Sequence, residues 1–291
     1  MEPSPLPLLR RQDVSLLTPP GESEQSRTAV SPSAHDAVPA PTAARERLER
    51  LLRRLLVDAS QWAAVFAAVV AVVGTDAGED VVDLCHSVWA SRESLRIAST
   101  LSPSRRHDVI MPQYMATLAH NLFATSLAYF WSDIAFITLQ RARGRSPHLW
   151  AGRLIHHIIQ TVANGPVLLI GPGRAQRVMS AYLGLAYTAE ISTICLRISR
   201  LLARLQRLRR AKSGGWLLEL LGRANHRVLL VTFALFRLVN FPLCGRLIRR
   251  NRAELPPHVA DMHIGFASVG YLINVGWFIK LARGSGGSRN N

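Results

Sequence analysis

Six apolar stretches, 59–74, 113–140, 151–170, 178–203, 226–245 and 258–281, recur along this chain with arginine-rich segments between them. With a few flanking residues added to the first, each has close to the roughly 20 residues that a helix needs to cross a bilayer core. A chain that must place six such runs has few folds open to it. A soluble all-helical domain would have to bury every one of them in a short chain, and that alternative is the poorer fit. A further stretch, 79–98, "EDVVDLCHSVWASRESLRIA", is too polar to face lipid but suits a helix enclosed by its neighbours. The expected architecture is therefore all-α, a multi-pass transmembrane helical bundle of six or seven spans with a disordered N-terminal tail.

The tail is residues 1–44, which hold eight of the sixteen prolines and no periodic apolar pattern. Such a segment cannot bury enough surface to offset its chain entropy. Its start, "MEPSPLPLLRRQ", lacks the long apolar region and small-residue cleavage site of a secretory signal peptide. Next comes "ARERLERLLRRLL", where Leu48, Leu51, Leu52, Leu55 and Leu56 recur at helical spacing opposite arginines and glutamates. This predicts an amphipathic helix over 45–57, lying on a membrane surface or against the domain. A transmembrane domain over 58–282 follows, with a flexible tail over 283–291.

Net charge is +16, and the acidic tail leaves the surplus entirely to the rest of the chain. The basic residues cluster between apolar runs, as in the loops of multi-pass proteins, and no nucleic-acid-binding motif accompanies them. Nucleic acid is not an expected partner. Arg141, Arg143, Arg145 and Arg153 on one side, and Arg200 to Lys212 two spans later, predict a shared cytosolic face with Lys280 and Arg283. "RLIRRNRAE" at 246–254 then falls on the opposite face, which conflicts with that assignment. Six spans would put the N-terminus inside and seven would put it outside. Cys85, Cys195 and Cys244 have neither disulfide nor zinc spacing and read as small packing residues.

Ionisable groups at membrane depth are costly and by default face a bundle interior with partners. Here they are Asp133, His156, His157, Glu190 and Arg237, joined by Arg197 and Asn274. Adjacent residues on a helix point about 100° apart, so His156 and His157 do not easily chelate one ion. With no HExxH or histidine-box spacing either, no metal site is expected. A histidine oriented by Asp133 or Glu190 could move protons near neutral pH, or it could simply bond neighbouring helices. "GPG" at 171–173 lacks the rest of a phosphate loop and reads as a tight interhelical turn. No nucleophile elbow, glycosylation acceptor, lipidation motif or KDEL-like tail is visible.

Three segments in order, "AYFWSDIAF", "LIHHIIQ" and "AEISTICLRISRLL", resemble the TLC-domain family, the membrane fold shared by ceramide synthases and several smaller lipid-related proteins. "LCHSVWAS" is similar to the family's early histidine-bearing helix and "FALFRLVNFPL" to its last-but-one span, so the resemblance covers residues 55–282. In ceramide synthases the His-His pair is followed by a His-Asp pair and further aspartates. The matching stretch here, "YLGLAYTAEISTICLR", has Glu190 and none of those. The chain thus resembles the non-synthase branch.

The resemblance implies a multi-pass membrane protein of lipid homeostasis that binds, moves or tunes a membrane lipid or sphingolipid, without a cofactor. Asp133, His156, His157, Glu190 and Arg237 would line its lipid-binding interior. One rival is a ceramide-synthase-like N-acyltransferase with acyl-CoA as donor and His156 or His157 as catalytic base. The other is a cargo receptor or scaffold in which the polar residues only lock helices. The endoplasmic reticulum is the expected membrane, with the plasma membrane or another endomembrane as alternatives, and a homodimer is an assembly open to such a protein.

Overall fold

A computed structural model describes residues 41–101, 111–144, 150–209 and 216–284. Residues 1–40 of the tail expected over 1–44, and the residues after 284, lie outside them, while 41–44 form the start of the first helix. No strand occurs among the described residues. The first helix, α1 (Pro41–Val73), takes in both the amphipathic segment expected over 45–57 and the first apolar run, so these are one continuous element. Gly74, at φ 83°, allows the sharp reversal into α2 (Thr75–Ser99). There follow α3 (Gln113–Ala142), α4 (Trp150–Leu169), α5 (Arg174–Tyr187) and α6 (Glu190–Arg209). The chain closes with α7 (Trp216–Phe233), α8 (Asn240–Arg250) and α9 (Pro257–Gly284).

Two pairs of these helices act as single rods. The apolar run over 178–203 breaks at Thr188 and Ala189, yet α2 lies along both α5 and α6. Ile97 meets Gly184 at one end and Ser87 meets Glu190 at the other. Between α7 and α8 the chain takes a π-helical turn, Ala234–Val239. Its cause is in the sequence: Pro242 supplies no N–H and its ring displaces the carbonyl four residues back, at Leu238. The described helices thus form seven rods.

Rods joined by short connections run antiparallel. Asp133 of α3 meets Arg153 and His157 of α4. The Asn240 side chain of α8 donates to the Leu185 carbonyl of α5, and Gly270 of α9 sits against Phe241. "GPG" makes the predicted turn between α4 and α5. At the centre stands α3, with 61 % of its most apolar window buried against 6 % for α1 and 11 % for α9. Small residues on α3, Ala116, Ala119, Ala124 and Ala128, let its neighbours approach closely around Leu122, Phe123 and Leu127. Beyond the charged first turns of α1, the outward faces of α1 and α9 present apolar side chains, among them Val65, Val72, Leu272 and Ile273, as contact with lipid tails requires.

Among the described residues four helices are long and apolar enough to cross a membrane: 42–73, 113–142, 216–250 and 257–283. The remaining rods, α2, α4 and α5–α6, carry charges that depress their hydropathy. Glu79, Asp80, Asp83, Arg153 and Arg197 among them are directed inward, while Arg92 and Arg96 of α2 are exposed. The chain is a multi-pass helical bundle.

Candidate functional site

The first turns of α2 place Glu79, Asp80, Asp83, His86 and Ser87 at helical spacing on one inward face, all buried. Facing them on α6 are Arg197, Arg200 and Arg204, also at helical spacing. Asp80 takes all three, from Arg197 Nη1 at 3.0 Å, Arg200 Nη1 at 3.6 Å and Arg204 Nη2 at 3.1 Å. Asp83 accepts from Arg197 Nη2 and from the Tyr129 hydroxyl of α3. Arg153 of α4 bridges α2 and α3: Nη1 lies 2.5 Å from Glu79 Oε2 and Nη2 lies 2.5 Å from Asp133 Oδ1. Four carboxylates meet four guanidiniums. Buried ion pairs repay their desolvation only where geometry and hydrogen bonding are good, and several contacts here share one network.

His157 Nε2 lies 2.7 Å from Asp133 Oδ2, and its ring stacks on Phe130 with centroids 4.8 Å apart. Among the described residues no group bonds His157 Nδ1. The neighbouring His156 ring is 5.4 Å away and tilted by 58°, so the two imidazoles point in different directions. Among the described residues no three histidine, cysteine or acidic side chains assemble as metal ligands. His86 stacks on Tyr129 at 3.9 Å and places Nε2 3.2 Å from Ser126 Oγ.

Beside this network is a cavity of about 420 Å³ between α4, α6, the π turn and α9, with α2 and α3 behind it. Phe130, Leu196, Phe233, Trp277 and Leu281 give it an apolar wall. His86, Ser87, His156, His157, Glu190 and Arg237 supply polar groups in the same space. Arg200 and the exposed Lys280 also line it. Ala163 of α4 lies beside His263 of α9, whereas the Gly152 end of α4 and the Lys280 end of α9 are separated by the cavity.

A family model of the TLC domain matches residues 58–283. The chain belongs to the TLC-domain family. No curated protein and no solved structure matches it. The TLC domain begins within α1, just where Asp58 accepts from Thr125 of the central helix, and runs to the last turns of α9. With its apolar rods, it makes this a membrane-embedded protein of a lipid-related family.

Within the TLC domain the residues singled out from sequence separate into two groups. His156, His157, Glu190 and Arg237 line the cavity. Asp133 is wholly buried behind them, holding His157 and Arg153. Glu79, Asp80, Arg153, Arg200 and Arg204 were not foreseen as interior residues. Arg153, Arg200 and Arg204 read as loop charges in the sequence, but they are spent on interior carboxylates and drop out of any charge count for orientation. The available signal was complementarity, since an acidic start to one polar helix matches an arginine stripe on another. Cys195 and Cys244 are buried, as packing residues should be, while Cys85 is exposed.

Proposed function

We propose that this TLC protein holds a membrane lipid in the cavity and serves lipid homeostasis by binding or moving it. The observation that carries this reading is the cavity's two-sided lining, an apolar wall facing inward-held polar groups within a lipid-facing bundle. An acyl chain fits along Phe130, Leu196 and Phe233, and a head group meets Glu190 and Arg237. The separation of α4 and α9 near Gly152 and Lys280 offers a side portal for the lipid. The network of Asp80, Asp83 and the arginines holds the rods around this space. The endoplasmic reticulum is the membrane we assign, on family grounds.

One observation favours a second reading, an N-acyltransferase using acyl-CoA. A carboxylate fixes one nitrogen of His157 and leaves the other unpaired, which is the arrangement a general base requires. The two readings separate in one experiment. Cells lacking the protein are complemented with the native chain, His157→Gln or Arg237→Gln, and their lipids are profiled alongside an acyl-CoA transfer assay on purified protein. The lipid-holding reading expects an altered profile for both variants with no acyl transfer by the native protein. Acyl transfer abolished by His157→Gln overturns it in favour of the enzyme. Unchanged profiles for both variants remove the interior site altogether.

A further inference from the structure

Arg153, Arg197 and Arg200 in the cavity lining are each held by carboxylates of α2 or α3. Two charged groups of the inner wall have no ionic partner within 4 Å among the described residues: Glu190 and Arg237. The Arg237 guanidinium is gripped by neutral oxygens only. Its Nε donates to Ser192 Oγ at 2.7 Å, Nη2 to Thr193 Oγ1 at 2.8 Å and Nη1 to Asn274 Oδ1 at 3.2 Å. A guanidinium carries five N–H donors, so two remain for a ligand. Glu190 accepts at Oε2 from Ser87 at 2.9 Å, and among the described residues no hydrogen bond fixes Oε1. Both side chains line the same cavity. The π turn that presents Arg237 is a local departure from the α-helix of the kind that is frequent at functional sites.

Resting on the lipid reading above, we infer that the cavity takes an amphiphile with a zwitterionic head, its ammonium against Glu190 and its phosphate or carboxylate against Arg237. An unpaired charge in a low-dielectric interior is expensive, and a ligand that pairs it recovers that cost. A zwitterion satisfies both groups at once. A purely anionic head pairs with Arg237 but is repelled by Glu190, and a cationic head does the reverse. A neutral head leaves the two charges with only their attraction to each other at a distance. Lys280 stands exposed at the rim, apart from the pair on the inner wall.

The test uses the full-length protein in nonionic micelles and single-chain probes of one common hydrocarbon length. They are lysophosphatidylethanolamine, a carboxylate betaine, lysophosphatidic acid, a monoacylglycerol and an alkylamine, with binding read by native mass spectrometry. The two zwitterions should bind tightest, and the better of them tells phosphate from carboxylate. Arg237→Gln and Glu190→Gln should each weaken the zwitterions by roughly tenfold or more, the scale of one charge-assisted contact, and leave the monoacylglycerol unchanged. A monoacylglycerol or singly charged probe that binds the native protein as tightly as the zwitterions overturns the head-group assignment while leaving a lipid cavity. Equal weakening of all probes by both variants does the same. If no probe binds, the lipid reading itself fails. Should either variant not fold, the ranking on the native protein decides.

Discussion

Asp133 uses both carboxylate oxygens to tie two residues of one neighbouring helix, His157 through Oδ2 at 2.7 Å and Arg153 through Oδ1 at 2.5 Å. His157 and Arg153 are four residues apart on α4 and so lie on one face, which is how a single carboxylate can hold both. Asp133 thereby locks α4 onto the central helix and orients the imidazole at the cavity wall.

Asp133→Asn keeps the shape but removes the charge that Arg153 and His157 face. Breaking a buried ion pair by neutralising one partner costs about 3–5 kcal/mol. The unfolding midpoint of the purified protein in micelles should fall accordingly. An unchanged midpoint would mean that the carboxylate does not hold α4.

Tyr129→Phe removes the hydroxyl that donates to Asp83 and preserves the ring that stacks on His86. Loss of a hydrogen bond to a charged acceptor costs about 1.5–3 kcal/mol. Denaturation of Tyr129→Phe beside Tyr129→Leu measures the two contributions, and the leucine variant should be the less stable.

Gly184 is the close-contact point of α5 with α2. A Cβ there would clash with Ile97 Cγ2, and Ile97 is wholly buried. Gly184→Ala should cost about 1–3 kcal/mol by overpacking, and Ile97→Ala in the same chain should relieve much of it. Additive losses in the double-mutant cycle would contradict this contact.

Pro242→Ala returns an N–H to α8 and lets the π turn relax toward α-helix. Arg237 should then rotate away from Ser192 and Thr193. The predicted outcome is an unfolding midpoint that holds or rises while lipid retention drops. Retention equal to that of the native protein would show that the turn does not position Arg237.

How much of this the sequence disclosed depended on where the charges sit. The apolar rods α3, α7–α8 and α9 were legible because apolar residues dominate their length. Glu190, Arg237 and His157 stood out because ionisable groups inside apolar runs need an interior. The polar helix α2 was ambiguous because its carboxylates are balanced by arginines on α4 and α6, and hydropathy counts each charge as if it were alone. Arg153, Arg200 and Arg204 looked like loop charges for the same reason. The amphipathic leucine repeat runs straight into the first apolar run in the sequence, and α1 is accordingly continuous, whereas the break at Thr188 lies inside an apolar run that gives no local sign of it.

The most direct test of a lipid held within the bundle is native mass spectrometry of the protein extracted gently from its membrane, compared with Leu196→Trp, which fills the cavity wall. The account predicts one lipid retained by the native chain and none by a Leu196→Trp variant that unfolds at the native temperature. Equal lipid retention by a folded Leu196→Trp protein would contradict it.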